Sequence, residues 1–129
     1  MRYLGIDYGT RRIGLAFSDP NAQFAFPLEM LPNDTHIIEN IAHVVEEKKI
    51  GGIVMGDTRA DTGNTNTITE ASERFASALS ARTKLPIERV REAWSSFEAA
   101  RYAPDYVKRD DSAAAIILQR FLDACSKTE

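Results

Sequence analysis

Residues 4–20, LGIDYGTRRIGLAFSDP, decide how this chain is read. In RYLGID (2–7), Leu4 and Ile6 alternate with Tyr3, Gly5 and Asp7, the period of a strand with two different faces. Tyr8-Gly9-Thr10-Arg11 supplies a turn. RIGLAFS (12–18) then alternates again, with Ile13, Leu15 and Phe17 set against Gly14, Ala16 and Ser18. Two alternating runs about a glycine-containing turn make a β-hairpin. Asp19-Pro20-Asn21 signals the next turn, and AFPLEML (25–31) reads as a third strand whose Pro27 pushes it toward a sheet edge.

Beyond the meander the period changes. Ile37, Ile38, Ile41, Val44 and Val45 recur at helical spacing, with Asn33 or Asp34 as N-cap and an end before Gly51-Gly52. GIVMG (52–56) is a short continuous apolar run, as expected of a central strand covered on both faces. After the polar loop 57–66, Thr67-x-x-Glu70 forms a capping box. Ile68, Ala71, Phe75, Ala78 and Leu79 give that second helix its apolar stripe. PIERVRE (86–92) is a further strand, and Ser95-x-x-Glu98 opens a short helix that runs to about Tyr102 and is interrupted by Pro104. A last helix covers about Asp110 to Ala124, with Ala113, Ala114, Ile117, Leu118, Phe121 and Leu122 inward. The order βββ-α-β-α-β-α-α predicts one α/β domain over 1–129: a mixed five-stranded sheet, a three-strand antiparallel meander followed by alternating helix and strand, with helices on both faces.

A chain of 129 residues is long enough to bury a core without staples. No apolar run approaches the ~18 residues of a membrane span, and the N-terminus lacks a secretory pattern. The single cysteine, Cys125, suits a reducing cytoplasm and excludes an internal disulfide or a zinc cluster built on cysteines. A net charge of −3 and a pI near 5.4 exclude nucleic-acid binding by bulk positive charge. Any such partner must be held by a local basic patch beside an acidic site. His36 and His43 lie on one helix without a partner cysteine and read as surface residues, while Trp94 reads as packing and Ser95 as an N-cap.

An acid that ends a first strand and is followed by a glycine turn suits a hard-cation ligand, because the strand fixes it and the turn admits a phosphate. Two-metal phosphodiester cleavage needs several carboxylates converging on the same place. Beside Asp7, the acids near element ends are Asp57, Asp61, Glu92, Asp110 and Asp111. Glu92 and the Asp110/Asp111 pair are best placed, because a strand parallel to the first brings Glu92 to the same sheet edge. One of Asp110 and Asp111 can cap the final helix while the other binds metal. Thr10, Arg11, Arg12, Lys108 and Arg109 flank these acids and are the candidate phosphate contacts.

LGIDYGTRRIGLAFSDP resembles the opening of the YqgF family, also called RuvX-like Holliday junction resolvases. Ile53–Gly56 with Gly63, EAWSSFEA (92–99) and DDSAAAIIL (110–118) resemble its later landmarks in order and spacing, so the likeness spans essentially the whole chain. The resemblance implies an RNase H-like fold and a nuclease acting in pre-16S rRNA 5′-end maturation or on branched DNA. It also implies Mg²⁺ or Mn²⁺ held by Asp7, Glu92 and Asp110, the last chosen by its distance to Leu118. Symmetric junction cutting would require two active sites, hence a homodimer.

The chain departs from the family pattern at Arg91, where an aspartate is usual, and at Ala93, where an arginine is usual. Ser95-Ser96 replaces paired threonines, and Asp57-Thr58 replaces Leu-Pro. These departures keep open a non-catalytic nucleic-acid or ribosome-associated module. Asp-x-Gly-Thr in a first hairpin also resembles the phosphate motif of actin and sugar-kinase ATP-binding proteins, but those need two lobes and this chain has one.

Overall fold

A computed structural model describes residues 1–57, 67–91 and 110–127; the side chains of residues 57, 67–69, 91, 110–112 and 125–127 lie outside that description. Five strands, β1 (Arg2–Asp7), β2 (Arg12–Ser18), β3 (Ala25–Pro32), β4 (Ile50–Asp57) and β5 (Ile87–Arg91), form one sheet in the order β3-β2-β1-β4-β5. β1–β2 and β2–β3 are antiparallel, whereas β1–β4 and β4–β5 are parallel. The mixed sheet is as the sequence predicts. The short helix expected near 95–102 falls outside the described residues.

Alternation sorts the two faces. On one, Leu4, Ile6, Leu15, Ile53 and Met55 pack against α1 (Ile37–Lys48) and α2 (Thr67–Thr83). On the other, Ala16 and Val54 pack against Ala114, Ile117, Leu118 and Leu122 of α3 (Asp110–Lys127). Helices therefore cover both faces, and burial of these side chains from water is the main stabilising term. β3 is the edge strand that Pro27 required. Leu15 faces Glu29 but Ala16 faces Pro27, so Leu28 is an extra residue in a β-bulge beside the proline, which has no N–H to give the ladder.

Two local expectations are corrected, the N-cap of α1 and the buried stripe of α2. Helix α1 is capped by neither Asn33 nor Asp34: its N-cap is His36, which makes no side-chain cap bond. β3 runs on to Pro32 and keeps Asn33 tied to the hairpin, while the Asp34 carboxylate accepts from the His36 N–H (2.9 Å) in a turn before the helix. The end of α1 falls before Gly51-Gly52, as expected. Lys49 takes the left-handed conformation (φ 57°, ψ 50°), and Gly51-Gly52 belong to β4. On α2 the buried stripe is Ser72, Phe75, Ala76 and Leu79, and Ala78 is exposed. The face that meets α1 and the sheet is thus set by the Phe75–Leu79 pair rather than by every small apolar residue.

Among the described residues the buried hydroxyl of Ser72 has no hydrogen-bond partner. A buried polar group without a partner is destabilising, so Ser72→Ala is expected to raise stability by about 1 kcal/mol. Urea denaturation of the two proteins checks this, and an unchanged or lower midpoint would show that the hydroxyl does have a use.

Asp19 organises the β2–β3 loop. Its carboxylate accepts backbone N–H bonds from Phe24 (2.8 Å), Gln23 (2.8 Å) and Asn21 (3.1 Å). The bond from Phe24, then those from Gln23 and Asn21, hold its pKa below the ordinary aspartate range. A depressed carboxyl stabilises the fold above its unfolded value of about 4 and loses that contribution as pH falls through the folded value. Asp19→Asn is therefore expected to be less stable than the parent at pH 7, with the gap closing below about pH 4. Equal gaps at pH 7 and pH 3 would refute this role.

Candidate active site

β1 delivers Asp7 to one edge of the sheet. Its backbone pairs with Gly14 across the hairpin, and its side chain is half-buried. Among the described residues the Asp7 carboxylate has no side-chain hydrogen bond or ion pair. Strand alternation puts Asp7 on the same face as Tyr3 and Gly5, the face that α3 covers. Tyr3 meets Phe121 edge-on at 5.1 Å between ring centroids, and Gly5 lies under Ala114 and Leu118. As β1 advances from Tyr3 to Gly5, its contacts on α3 step back from Phe121 toward Ala114. The helix therefore runs antiparallel to β1, and its first turn, Asp110 and Asp111, lies toward the Asp7 end.

The parallel strands bring further residues to that edge. Ile6, Met55 and Arg89 share one row across β1, β4 and β5. Asp7 stands one residue beyond this row, and Arg91, the last residue of β5, stands two beyond. Glu92 follows immediately, outside the described residues, as do Asp61, Trp94, Lys108 and Arg109. The topology therefore brings the backbone of Asp7 and of the Asp110/Asp111 turn to one edge, where β5 also ends, two strands from β1. Helical spacing does not separate Asp110 from Asp111: they lie four and three residues before the buried Ala114.

Arg91 has a register partner of opposite charge, Asp57, directly across β4–β5. Reading each position alone missed this, because only the strand register makes neighbours of two residues so far apart in sequence.

The turn after Asp7 is tight. A Cβ on Gly9 would sit 2.4 Å from the Arg12 carbonyl oxygen, so no other residue fits there without opening the turn. Tyr8 packs inward against Phe75 (5.2 Å between ring centroids), which anchors the turn to α2. Thr10, Arg11 and Arg12 are exposed beyond it. Asn33 holds the turn from outside: its side-chain amide donates to the Gly9 carbonyl (2.9 Å) and its backbone N–H to the Arg11 carbonyl (2.9 Å). The sequence offered Asn33 only as a helix cap.

Among the described residues no three His, Cys, Asp or Glu side chains gather into a cluster able to hold a metal. The donors placed at this edge are carboxylates, which suit a hard divalent cation and not a soft one.

A family model described as "RuvX: Holliday junction resolvase" matches residues 1–124. The chain belongs to the RuvX family. With that membership it is a nuclease, a hydrolase of phosphodiester bonds. A protein of Maridesulfovibrio salexigens named "Putative pre-16S rRNA nuclease" is 36% identical over 132 residues, covering 95% of this chain and 98% of that protein. One of the same name from Chloroflexus aggregans is also 36% identical, covering 94% of this chain and 92% of that protein. Among solved structures, T. thermophilus RuvC in complex with a Holliday junction substrate superposes with a TM-score of 0.67 at 13% identity, covering 99% of this chain and 97% of that one. That likeness shows a shared RNase H-like fold, which this RuvX chain carries in its mixed five-stranded sheet.

Proposed function

We propose that this RuvX protein hydrolyses phosphodiester bonds in a structured nucleic acid, with the 16S rRNA precursor as first candidate and branched DNA as second. The carrying observation is Asp7: a half-buried carboxylate with no side-chain partner among the described residues, held at the sheet edge toward which the first turn of α3 points. The rRNA precursor ranks first because the relatives at 36% identity carry that name, while the junction-bound structure is similar in fold alone.

Asp7, Glu92 and Asp110 are the residues proposed to hold Mg²⁺ or Mn²⁺. Such ions, when bound, lower the pKa of a water nucleophile and offset charge on the phosphate. The chain's own part is to position. β1 fixes Asp7, α3 carries Asp110, and the turn at Thr10, Arg11 and Arg12, with Lys108 and Arg109, meets the phosphates. An arginine beside the acids would weaken cation binding if it stood alone. In the backbone register of β4–β5 this arginine is paired with an acid, Asp57. No helix among the described residues is long and apolar enough to cross a membrane, and a cytoplasmic location fits a partner such as precursor rRNA. Symmetric cutting of a four-way junction needs two sites, so the junction-cleaving form is a homodimer.

The test is incubation with a 16S rRNA precursor and with a four-way DNA junction, each with Mn²⁺ or with EDTA. Metal-dependent cleavage of the rRNA supports the first candidate, and cleavage of the junction alone the second. Binding to both without cleavage of either overturns the catalytic reading.

A further inference from the structure

We infer that Asn33 is a positioning residue for substrate phosphate, acting by holding the Gly9–Thr10 peptide in one orientation. The inference rests on the function proposed above, in which the turn after Asp7 meets the nucleic-acid backbone.

In a trans peptide the C=O and the following N–H point in opposite directions. The Asn33 side-chain amide holds the Gly9 carbonyl at 2.9 Å on the β3 side. The Thr10 N–H must therefore point away from Asn33. Thr10 is exposed, three residues after Asp7, and neither end of this peptide can rotate without breaking the Asn33 bond. A backbone N–H set in this way, with a hydroxyl on the same residue, is a neutral donor pair for a phosphate oxygen. Asn33 also donates its own N–H to the Arg11 carbonyl at 2.9 Å, so the main chain on both sides of Thr10 is tied to one residue of the edge strand's end. Asn33 is half-buried and its amide is engaged by the Gly9 carbonyl, so it acts on the donor through the peptide.

Two kinds of phosphate recognition are thereby separated at one turn. Arg11 and Arg12 offer charge, and taking one arginine away from a phosphate lowers the slope of log binding against log salt by about 1. The donors oriented by Asn33 carry no charge. Removing the Asn33 side chain leaves its backbone bond to Arg11 in place and removes only the hold on Gly9.

The experiment measures binding to a four-way DNA junction and to a 16S rRNA precursor fragment over a salt series in EDTA. It compares Asn33→Ala, Asn33→Leu (similar in size, without a donor), Arg11→Ala and Arg12→Ala with the parent. Both Asn33 variants are expected to raise Kd by about five- to tenfold, the value of one oriented hydrogen bond, with the salt slope unchanged. KM rises by a similar factor, kcat stays within about twofold, and amide exchange at Thr10 speeds up. Two results overturn the proposal: an unchanged Kd in a folded Asn33 variant, or a slope that falls as it does in Arg11→Ala, which would mean general collapse of the turn. If instead the arginine variants change neither Kd nor slope, the phosphate-binding reading of the turn fails, and the role of Asn33 fails with it.

Discussion

Asp7→Asn is expected to lower metal-dependent cleavage by about 10³-fold or more while leaving the protein folded. The substitution keeps the size of the side chain and removes the charge that would bind a hard cation. Asp7 pairs with Gly14 through its backbone, which the change does not touch, and among the described residues its carboxylate has no side-chain partner to lose. Stability is therefore expected to stay within about 0.5 kcal/mol, with a gain in keeping with a site where function and stability compete. Cleavage rates with Mn²⁺ and thermal melting of the same preparation check both halves. Cleavage surviving in Asp7→Asn, or in the parent with EDTA, would remove Asp7 from the mechanism.

Gly5→Ala is expected to cost about 2 kcal/mol or more, a large effect for one methyl group. A Cβ there would lie 2.7 Å from the Leu118 Cβ and 3.0 Å from the Ala114 carbonyl oxygen. Neither obstacle is the flexible end of a side chain, so the whole of α3 has to lift from the sheet. Close approach at Gly5 is what lets the helix backbone lie against β1. Asp110 is one turn before Ala114, so the displacement reaches the proposed metal ligand as well. Activity is expected to fall further than the loss of folded protein explains. Urea denaturation together with cleavage per folded molecule tests this; a midpoint within error of the parent would show that α3 is free to adjust.

Much of the fold was legible because its signals are local. The alternation in 2–7 and 12–18, the switch to helical spacing after Asp34 and the run at 52–56 each follow from which side chains can leave water in one regular conformation. Pro27 predicted the edge strand for an equally local reason. Errors arose where a residue has two uses of similar energy. Asn33 can cap a helix or grip a turn, and the continuation of β3 to Pro32 chose the second.

For the site, the sequence by itself determined that Asp7 ends a strand before a glycine turn, that basic residues follow it, and that the fold is α/β. Only the tertiary structure decided which of these share a place. Parallel pairing of β1, β4 and β5 puts the ends of three strands on one edge, and the antiparallel course of α3 brings Asp110 and Asp111 toward Asp7. Arg91 and Asp57 became neighbours in the same way, and Asn33 a brace for Gly9. The physical reason is range. Alternation and caps are settled within a few residues, whereas strand order, register and helix direction are settled by packing between segments far apart in the chain.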